Sequence, residues 1–104
     1  MESKRLRGGP VWGTESEELN ATILEWPAGA GPPEHVNETR DVALVVLAGS
    51  GELALDGERR EVEAGEVVVL PKGARRALVA GPDGIRYATV HRRRGGLQVR
   101  RLSH

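Results

Sequence analysis

The sequence predicts an all-β domain, built as a sandwich or a barrel. Glycine and proline, 14 and 6 in 104 residues, separate short runs rich in valine, leucine and isoleucine. This rhythm is typical of many short strands joined by tight turns. No window of about 11 residues has the periodicity of an amphipathic helix. The length predicts a single domain over 1–104, with an arm or edge strand at 1–18, a core barrel at 19–91 and a C-terminal strand or tail at 92–104.

The first part of the core predicts two strands. Residues 19–26 form the first, which stops at Pro27 before a loop rich in glycine and proline over 28–33. Residues 42–48 form a near-continuous apolar run, so we expect a central strand that is buried on both faces.

Turn signals divide the rest of the chain into shorter strands. Residues 51–56 alternate in polarity, and the Asp56-Gly57 pair predicts a hairpin turn with positive φ. The stretch 81–84, Gly-Pro-Asp-Gly, predicts a further reversal. We expect the run at 66–70 to be a second buried strand. The remaining predicted strands cover residues 59–63, 75–80, 85–91 and 97–102.

Composition limits the partners and the location. Fifteen basic residues balance fifteen acidic ones, so no overall charge favours nucleic acid or a membrane surface. A basic cluster at 91–94, with Arg100 and Arg101, lacks the interleaved aromatic residues that stack bases. Cysteine is absent, which excludes disulfides and thiolate chemistry. No apolar run approaches the ~20 residues that span a bilayer, and the charged start lacks the apolar segment of a signal peptide. We expect a cytoplasmic protein.

One set of residues is spaced in a regular way in the first half of the core. Five residues separate Gly29 from His35, and one residue separates His35 from Asn37. Four residues then separate Asn37 from Val42, and six separate Val42 from Gly49.

A second set follows after fifteen residues. Five residues separate Gly65 from Pro71, and one residue separates Pro71 from Gly73. Two residues then separate Gly73 from Arg76, and three separate Arg76 from Ala80. Both glycines of this set fall where the chain must reverse and positive φ is easiest without a Cβ. Pro71 ends a strand at a point where its missing N–H is tolerated.

These two sets resemble the paired motifs of the cupins over about residues 19–91. The family's first motif carries Gly, His, His, Glu and Gly at the first set of places, and its second carries Gly, Pro, Gly, His and Asn at the second set. The resemblance implies an RmlC-like jelly-roll barrel, also called a double-stranded β-helix. Glycines and prolines in register are specific for the fold, but they say nothing about chemistry.

The resemblance also implies four metal-ligand places, which this chain fills with His35, Asn37, Val42 and Arg76. A transition metal in such a barrel needs about three imidazole or carboxylate donors. Asparagine is a weak donor, valine offers none, and a guanidinium repels a cation at short range. We therefore expect no metal and no other cofactor.

Three further side chains keep a metal site open as an alternative: Glu38, Asp41 and His91. We expect Asp41 to cap a strand at the barrel mouth and Glu38 to be a solvated loop charge. His91 lies beside three arginines, so we expect a surface residue.

Arg76 carries the sharper hypothesis. If the register holds, its guanidinium lies in the barrel mouth near His35, where it would bind a carboxylate or phosphate in a bidentate way. His35 would then hydrogen-bond the ligand or transfer a proton, with Asn37 beside it. The alternative is structural: Arg76 would extend to water, or form a salt bridge with Asp41 or Glu38.

Two of the three aromatic residues, Trp26 and Tyr87, are further ligand-binding candidates. They would line a pocket and stack on a flat ligand. The alternative is that both fill the barrel core or its rim. Trp12 would instead anchor a contact between subunits, since tryptophan is favoured at the centres of interfaces.

Three functions stay open. The first is a metal-free cupin that binds a small, anionic ligand; no residue is assigned a catalytic role. The second is an enzyme, either a metal-dependent oxygenase or isomerase like many cupins, or a metal-free enzyme that uses His35. The third is a structural homodimer without ligand. We expect a homodimer in any case, because the resemblance implies pairing through a sheet and the terminal segments are candidate edge strands.

Overall fold

A computed structural model describes residues 8–93, and in this range the chain is all-β, as predicted. No helix in this range is long and apolar enough to cross a membrane. The strands are β1 (Gly9–Glu15), β2 (Leu19–Trp26), β3 (His35–Val36), β4 (Val42–Leu55), β5 (Glu58–Glu63), β6 (Val67–Leu70) and β7 (Arg75–Arg92).

Two long strands, β4 and β7, run antiparallel to each other through the centre of the fold. The first half of β4 pairs with β6, and the second half pairs with β5. The two halves of β7 likewise pair with β3 and β2, and β1 adds an edge strand to β2. The inward side chains of both halves meet in one core, which includes Leu44, Tyr87, Leu53 and Leu78.

The halves of β4 and β7 bend at matching places. Gly49, with φ of 77°, interrupts the register of β4. A Cβ at this position would lie 2.1 Å from the carbonyl oxygen of Gly84, so glycine is required for the close approach of the two strands. The bend lets one continuous pair of strands contribute to both sides of the barrel.

The predicted reversal at 81–84 is wrong. Residues 76–80 and 85–90 both pair antiparallel with the same continuous strand β4, so the chain keeps its direction. In the register, Gly49 lies opposite Ile85 and Gly51 opposite Ala80, which leaves 81–84 as a bulge. The Gly-Pro-Asp-Gly sequence is a local turn signal, and pairing with β4 overrides it.

The prediction that 42–48 is buried on both faces is also wrong, and the strand predicted as buried at 66–70 is buried on one face. The first half of β4 alternates, with Val42, Leu44 and Val46 buried. In β6, Val67 and Val69 point outward and are 63% and 61% exposed. Each strand therefore buries only one face against the core.

The hairpin turn at Asp56-Gly57 is confirmed. Both residues have positive φ, 52° and 90°, and β4 pairs with β5 on either side of them. The predicted strands at 42–48 and 51–56 are one strand, β4, and those at 75–80 and 85–91 are one strand, β7. The predicted strand at 97–102 lies outside the described residues.

Candidate functional site

A cavity of about 280 Å³ lies inside the barrel. Its apolar walls are mostly leucine side chains from both halves of the fold, together with Pro32, Val42 and Ala77. The polar side chains that line it are His35, Asn37, Arg76, Tyr87, Thr89 and His91. The residues at all four family ligand places, including Val42, therefore reach the same cavity, as the register of the two motifs implies.

The short strand β3 brings His35 to Arg76. Its two residues pair antiparallel with the start of β7, with His35 directly opposite Arg76. The loop before β3 lies against β7, because Gly29 N donates to Ala80 O and Ala80 N donates to Ala30 O. A Cβ on Gly31 would lie 1.8 Å from the Leu78 carbonyl oxygen, so only glycine fits this crossing.

Two aspartates fix the start of β7. Asp56 Oδ1 accepts a hydrogen bond from Arg75 N at 2.9 Å, and Asp56 N donates to Arg75 O at 2.7 Å. Asp41 Oδ1 accepts from Lys72 N at 2.9 Å in the turn that precedes the strand. Asp41 therefore caps this turn, as expected, and it does not line the cavity.

The Arg76 side chain is held inside the protein, at 8% exposure. Its Nε donates to His35 Nε2 at 3.3 Å. Its Nη1 is buried and has no hydrogen-bond partner within residues 8–93. Burial lowers the pKa of this guanidinium from its usual value, because the charged form loses hydration. The structural alternatives for Arg76, extension to water or pairing with Asp41 or Glu38, are therefore wrong for the described part of the chain.

The His35 imidazole has a defined hydrogen-bonding arrangement. Its Nδ1 lies 3.1 Å from Pro33 O, and a carbonyl oxygen only accepts, so Nδ1 carries a proton. Its Nε2 accepts the hydrogen bond from Arg76 and so needs a free lone pair. The neutral ring with the proton on Nδ1 satisfies both contacts.

The residues at the four family ligand places do not fit a divalent metal. The His35 Nε2 lone pair points at a guanidinium, which would also repel the ion. The Asn37 Oδ1 already accepts from Thr39 N and Thr39 Oγ1. Val42 has no donor atom. Among residues 8–93, no group of three or more His, Cys, Asp or Glu is placed to hold a metal ion, so Glu38, Asp41 and His91 do not complete a site.

The two aromatic candidates lie on the same inner face of the sheet, and Tyr87 lines the cavity whereas Trp26 does not. Tyr87 is 3% exposed and lines the cavity. Trp26 does not line it, but its Nε1 donates to the Tyr87 hydroxyl oxygen at 3.1 Å. Trp26 instead borders a more open depression of about 920 Å³ with Glu25, Asp83 and Arg86. Burial raises the pKa of the Tyr87 hydroxyl, and the hydrogen bond from Trp26 opposes this in part.

Sequence reasoning missed two polar side chains of the cavity. His91 was expected at the surface, but it lines the cavity together with Thr89. Both belong to β7 and alternate with outward residues, so they share the inner face with Tyr87. Counting by two from Tyr87 would have placed them there, but the neighbouring arginines masked this signal.

Family comparison agrees with this arrangement. The cupin domain model matches residues 22–85, which is more than half of the chain. The chain belongs to the cupin family. The recognition of a small cupin and the prediction of a jelly-roll barrel are thus confirmed.

Known structures extend the fold assignment. The cupin domain of Cnp3 from Schizosaccharomyces pombe superposes on this cupin with a TM-score of 0.72 and 20% identity, over 90% of this chain and 69% of that one. The polyketide cyclase RemF from Streptomyces resistomycificus gives a TM-score of 0.67 and 29% identity, over 74% and 56%.

One curated relative also matches this cupin over a short stretch. Dimethylsulfoniopropionate lyase DddW from Ruegeria pomeroyi is 43% identical over 42 residues, which is 40% of this chain and 28% of the lyase. The match thus covers less than a third of that enzyme's length.

Proposed function

We propose that this cupin binds a small monocarboxylate in its barrel, without a metal. The observation that carries the proposal is the Arg76 side chain, a buried guanidinium that lines the cavity and has one nitrogen without a partner among residues 8–93. A buried polar group without a hydrogen bond costs about 1–3 kcal/mol, and more when it is charged. A carboxylate would supply both the missing acceptors and the opposite charge.

The charge of the cavity supports a single negative charge on the ligand. Among the described residues that line the cavity, Arg76 is the one side chain with a fixed charge, and none is Asp or Glu. Planar guanidinium and planar carboxylate form two parallel hydrogen bonds, and this pairing is strong where water is excluded. A phosphate dianion would leave one negative charge uncompensated in an apolar cavity.

The size of the cavity supports a short ligand. Its volume is about 280 Å³, at the lower end of small-molecule sites. That is the volume of roughly nine water molecules, so a ligand of fewer than about ten non-hydrogen atoms would fill it.

Isothermal titration calorimetry with acetate, propanoate, butanoate and inorganic phosphate tests the proposal. We expect at least one of the carboxylates to bind and phosphate to bind less tightly. We expect Arg76→Met to lose carboxylate binding and Arg75→Met to retain it. Arg75 is the matched control, because it is adjacent, exposed and paired with Glu34 at the surface.

The same preparation separates the metal-free cupin from the metal-dependent alternative. Elemental analysis after purification without chelator should find no metal at a stoichiometric level. A stoichiometric metal, or carboxylate binding that survives in Arg76→Met, would contradict the proposal.

We also propose that this cupin forms a homodimer through the outer face of the sheet β1-β2-β7-β4-β6. The strand register supports this, because residues directly opposite each other share a face. One row across the five strands is Trp12, Ile23, Ala88, Val45 and Val67. The next row is Thr14, Ala21, Val90, Ala43 and Val69.

The size of this face, which we call the apolar face, suits a second copy of the chain. Five strands about 4.8 Å apart and two rows about 6.8 Å apart cover roughly 24 by 14 Å. A contiguous apolar patch of this size on a monomer marks an interaction site. A standard interface buries about 800 Å² per partner, so the apolar face would form its centre and the polar rows around it the rim. Charged side chains are concentrated elsewhere, on β5 with its sequence ERREVE.

A further inference from the structure

The inner face of β7 carries three polar groups in a row along the cavity. Tyr87, Thr89 and His91 alternate with outward residues, so successive groups are about 6.8 Å apart along the strand. Arg76 lines the same cavity from the other half of β7. A ligand in this cavity can therefore contact the Arg76 cation in one part and the polar groups of Tyr87, Thr89 and His91 in another.

The His91 imidazole resembles that of His35 in the contact of its Nδ1 with a backbone carbonyl oxygen, but the two rings differ at Nε2. Its Nδ1 lies 2.9 Å from the carbonyl oxygen of Arg92, which only accepts, so Nδ1 carries the proton. In the neutral ring Nε2 is then an acceptor. The structure gives no protein donor to this nitrogen among residues 8–93. His35 Nε2, in contrast, is already bonded to Arg76.

The polar groups of the cavity therefore have different hydrogen-bonding needs. Arg76 offers only donors, and the Asn37 amide can only donate further from its NH₂ group, because its oxygen accepts from Thr39. The Tyr87 hydroxyl oxygen accepts from Trp26, which leaves its own proton to donate. His91 Nε2 is the group that is free to accept a hydrogen bond. A plain carboxylate satisfies the donors but leaves His91 unmatched.

We infer that this cavity selects a short hydroxycarboxylate. Its carboxylate accepts from Arg76 at one end, and its hydroxyl donates to His91 Nε2 at the other. The inference rests on the proposed function, and it adds the second recognition group and the residue that reads it. Thr89, between Tyr87 and His91 on the same face, accepts from or donates to the same hydroxyl according to the ligand's length.

Calorimetry with matched pairs of acids tests the inference. The probes are propanoate against 3-hydroxypropanoate and butanoate against 4-hydroxybutanoate, with succinate as a dicarboxylate. Because a net hydrogen bond contributes about 0.5–1.5 kcal/mol, we expect the hydroxyl in at least one pair to tighten binding by about 3- to 10-fold. His91→Phe should abolish that gain, which is measured as the ratio of the two affinities within each pair of acids. His91→Gln, which retains an acceptor, should keep part of the gain.

The outcomes separate this inference from the function on which it rests. If plain carboxylates bind through Arg76 and the hydroxyl gives no gain, or if the gain persists in His91→Phe, the inference is wrong and the proposed function stands. Preference for succinate would also overturn it, because it would make the second group a cation rather than an acceptor. If no acid binds the wild-type protein, the proposed function itself is wrong. Thermal unfolding of His91→Phe checks that the variant is folded.

Discussion

Arg76 and His35 face each other across the register of β3 and β7, and the Arg76 Nε donates to His35 Nε2 at 3.3 Å. This contact uses one of the five N–H groups of the guanidinium, and Nη1 is buried without a partner in the described part of the chain. The free protein therefore holds a charged group in a position that burial disfavours, as the lowered pKa of Arg76 indicates. Such a group is explained more readily by ligand binding than by stability.

Replacement of Arg76 by an apolar residue should therefore stabilise the protein in the absence of ligand. We expect Arg76→Met to raise the free energy of unfolding by about 1 kcal/mol, since buried charges replaced by apolar groups are often stabilising. His35 is exposed, so water can replace the donor that its Nε2 loses. Urea unfolding measures the change. Arg75→Met should lie within about 0.5 kcal/mol of wild type, and a clear loss of stability in Arg76→Met would contradict the prediction.

The sequence predicted the parts of this site that depend on short spacings. Counting from the glycines and prolines placed Arg76 near His35, and the structure pairs these two residues. The alternation of Gly51 to Asp56 and the Asp-Gly turn likewise predicted the β4–β5 hairpin. These features depend on local backbone preferences, which a single sequence carries.

Features that depend on contacts between distant segments were not predicted. The Gly-Pro-Asp-Gly sequence at 81–84 is typical of a turn, and only the pairing of β7 with β4 shows that it forms a bulge. The apolar run 42–48 gives no indication that one of its faces is outward, because valine and leucine occupy both. The position of His91 in the cavity follows only from the long unbroken strand β7.

Gly31 should tolerate no side chain. A Cβ at this position would lie 1.8 Å from the Leu78 carbonyl oxygen, so Gly31→Ala must displace the loop that leads to β3. We expect a loss of about 3 kcal/mol of unfolding free energy, at the upper end of overpacking effects. Carboxylate binding should weaken as well, because this loop leads directly to His35 at the start of β3. Gly13→Ala is the control: its added Cβ would lie 3.4 Å from the Ala21 carbonyl oxygen, and an effect as large as that of Gly31→Ala would contradict this account.

Asp56 should contribute to the free energy of unfolding through both its side-chain hydrogen bond and its backbone conformation. Its carboxylate accepts from Arg75 N, and its φ is 52°, a region that Asp and Asn tolerate better than other residues with a side chain. Asp56→Ala should cost about 1–3 kcal/mol of unfolding free energy because it loses both features. Asp56→Asn retains an acceptor oxygen and the tolerance for positive φ, so it should stay within about 0.5 kcal/mol of wild type. Equal destabilisation in thermal unfolding of the two variants would show that the hydrogen bond is not the cause.

Tyr87 should make the protein less stable at alkaline pH. The unfolded chain loses the Tyr87 proton near its usual pKa of 10.0, whereas burial raises the pKa in the folded state. The folded protein thus binds the proton more tightly, and this contribution is present below about pH 10 and is lost as the pH rises through the folded pKa. Urea unfolding of wild type and Tyr87→Phe between about pH 8 and pH 11 isolates the effect, because other titrating groups are common to both. A difference between the two proteins that stays constant over this range would contradict the prediction.

A charge introduced on the apolar face should disrupt the dimer, whereas the same charge at an exposed position outside this face should not. Val67, at 63% exposure, lies at one end of the first row, and Val79, at 47%, lies opposite Glu52 in the other half of the barrel. We expect sedimentation of the wild-type protein to give twice the 11.2 kDa of the chain. Val67→Lys should shift the protein to monomer, because an interface of this kind excludes unpaired charge from its centre, and Val79→Lys should leave the dimer intact. A wild-type monomer, or a dimer that Val67→Lys and Trp12→Ala both leave unchanged, would mean that this face is not the interface.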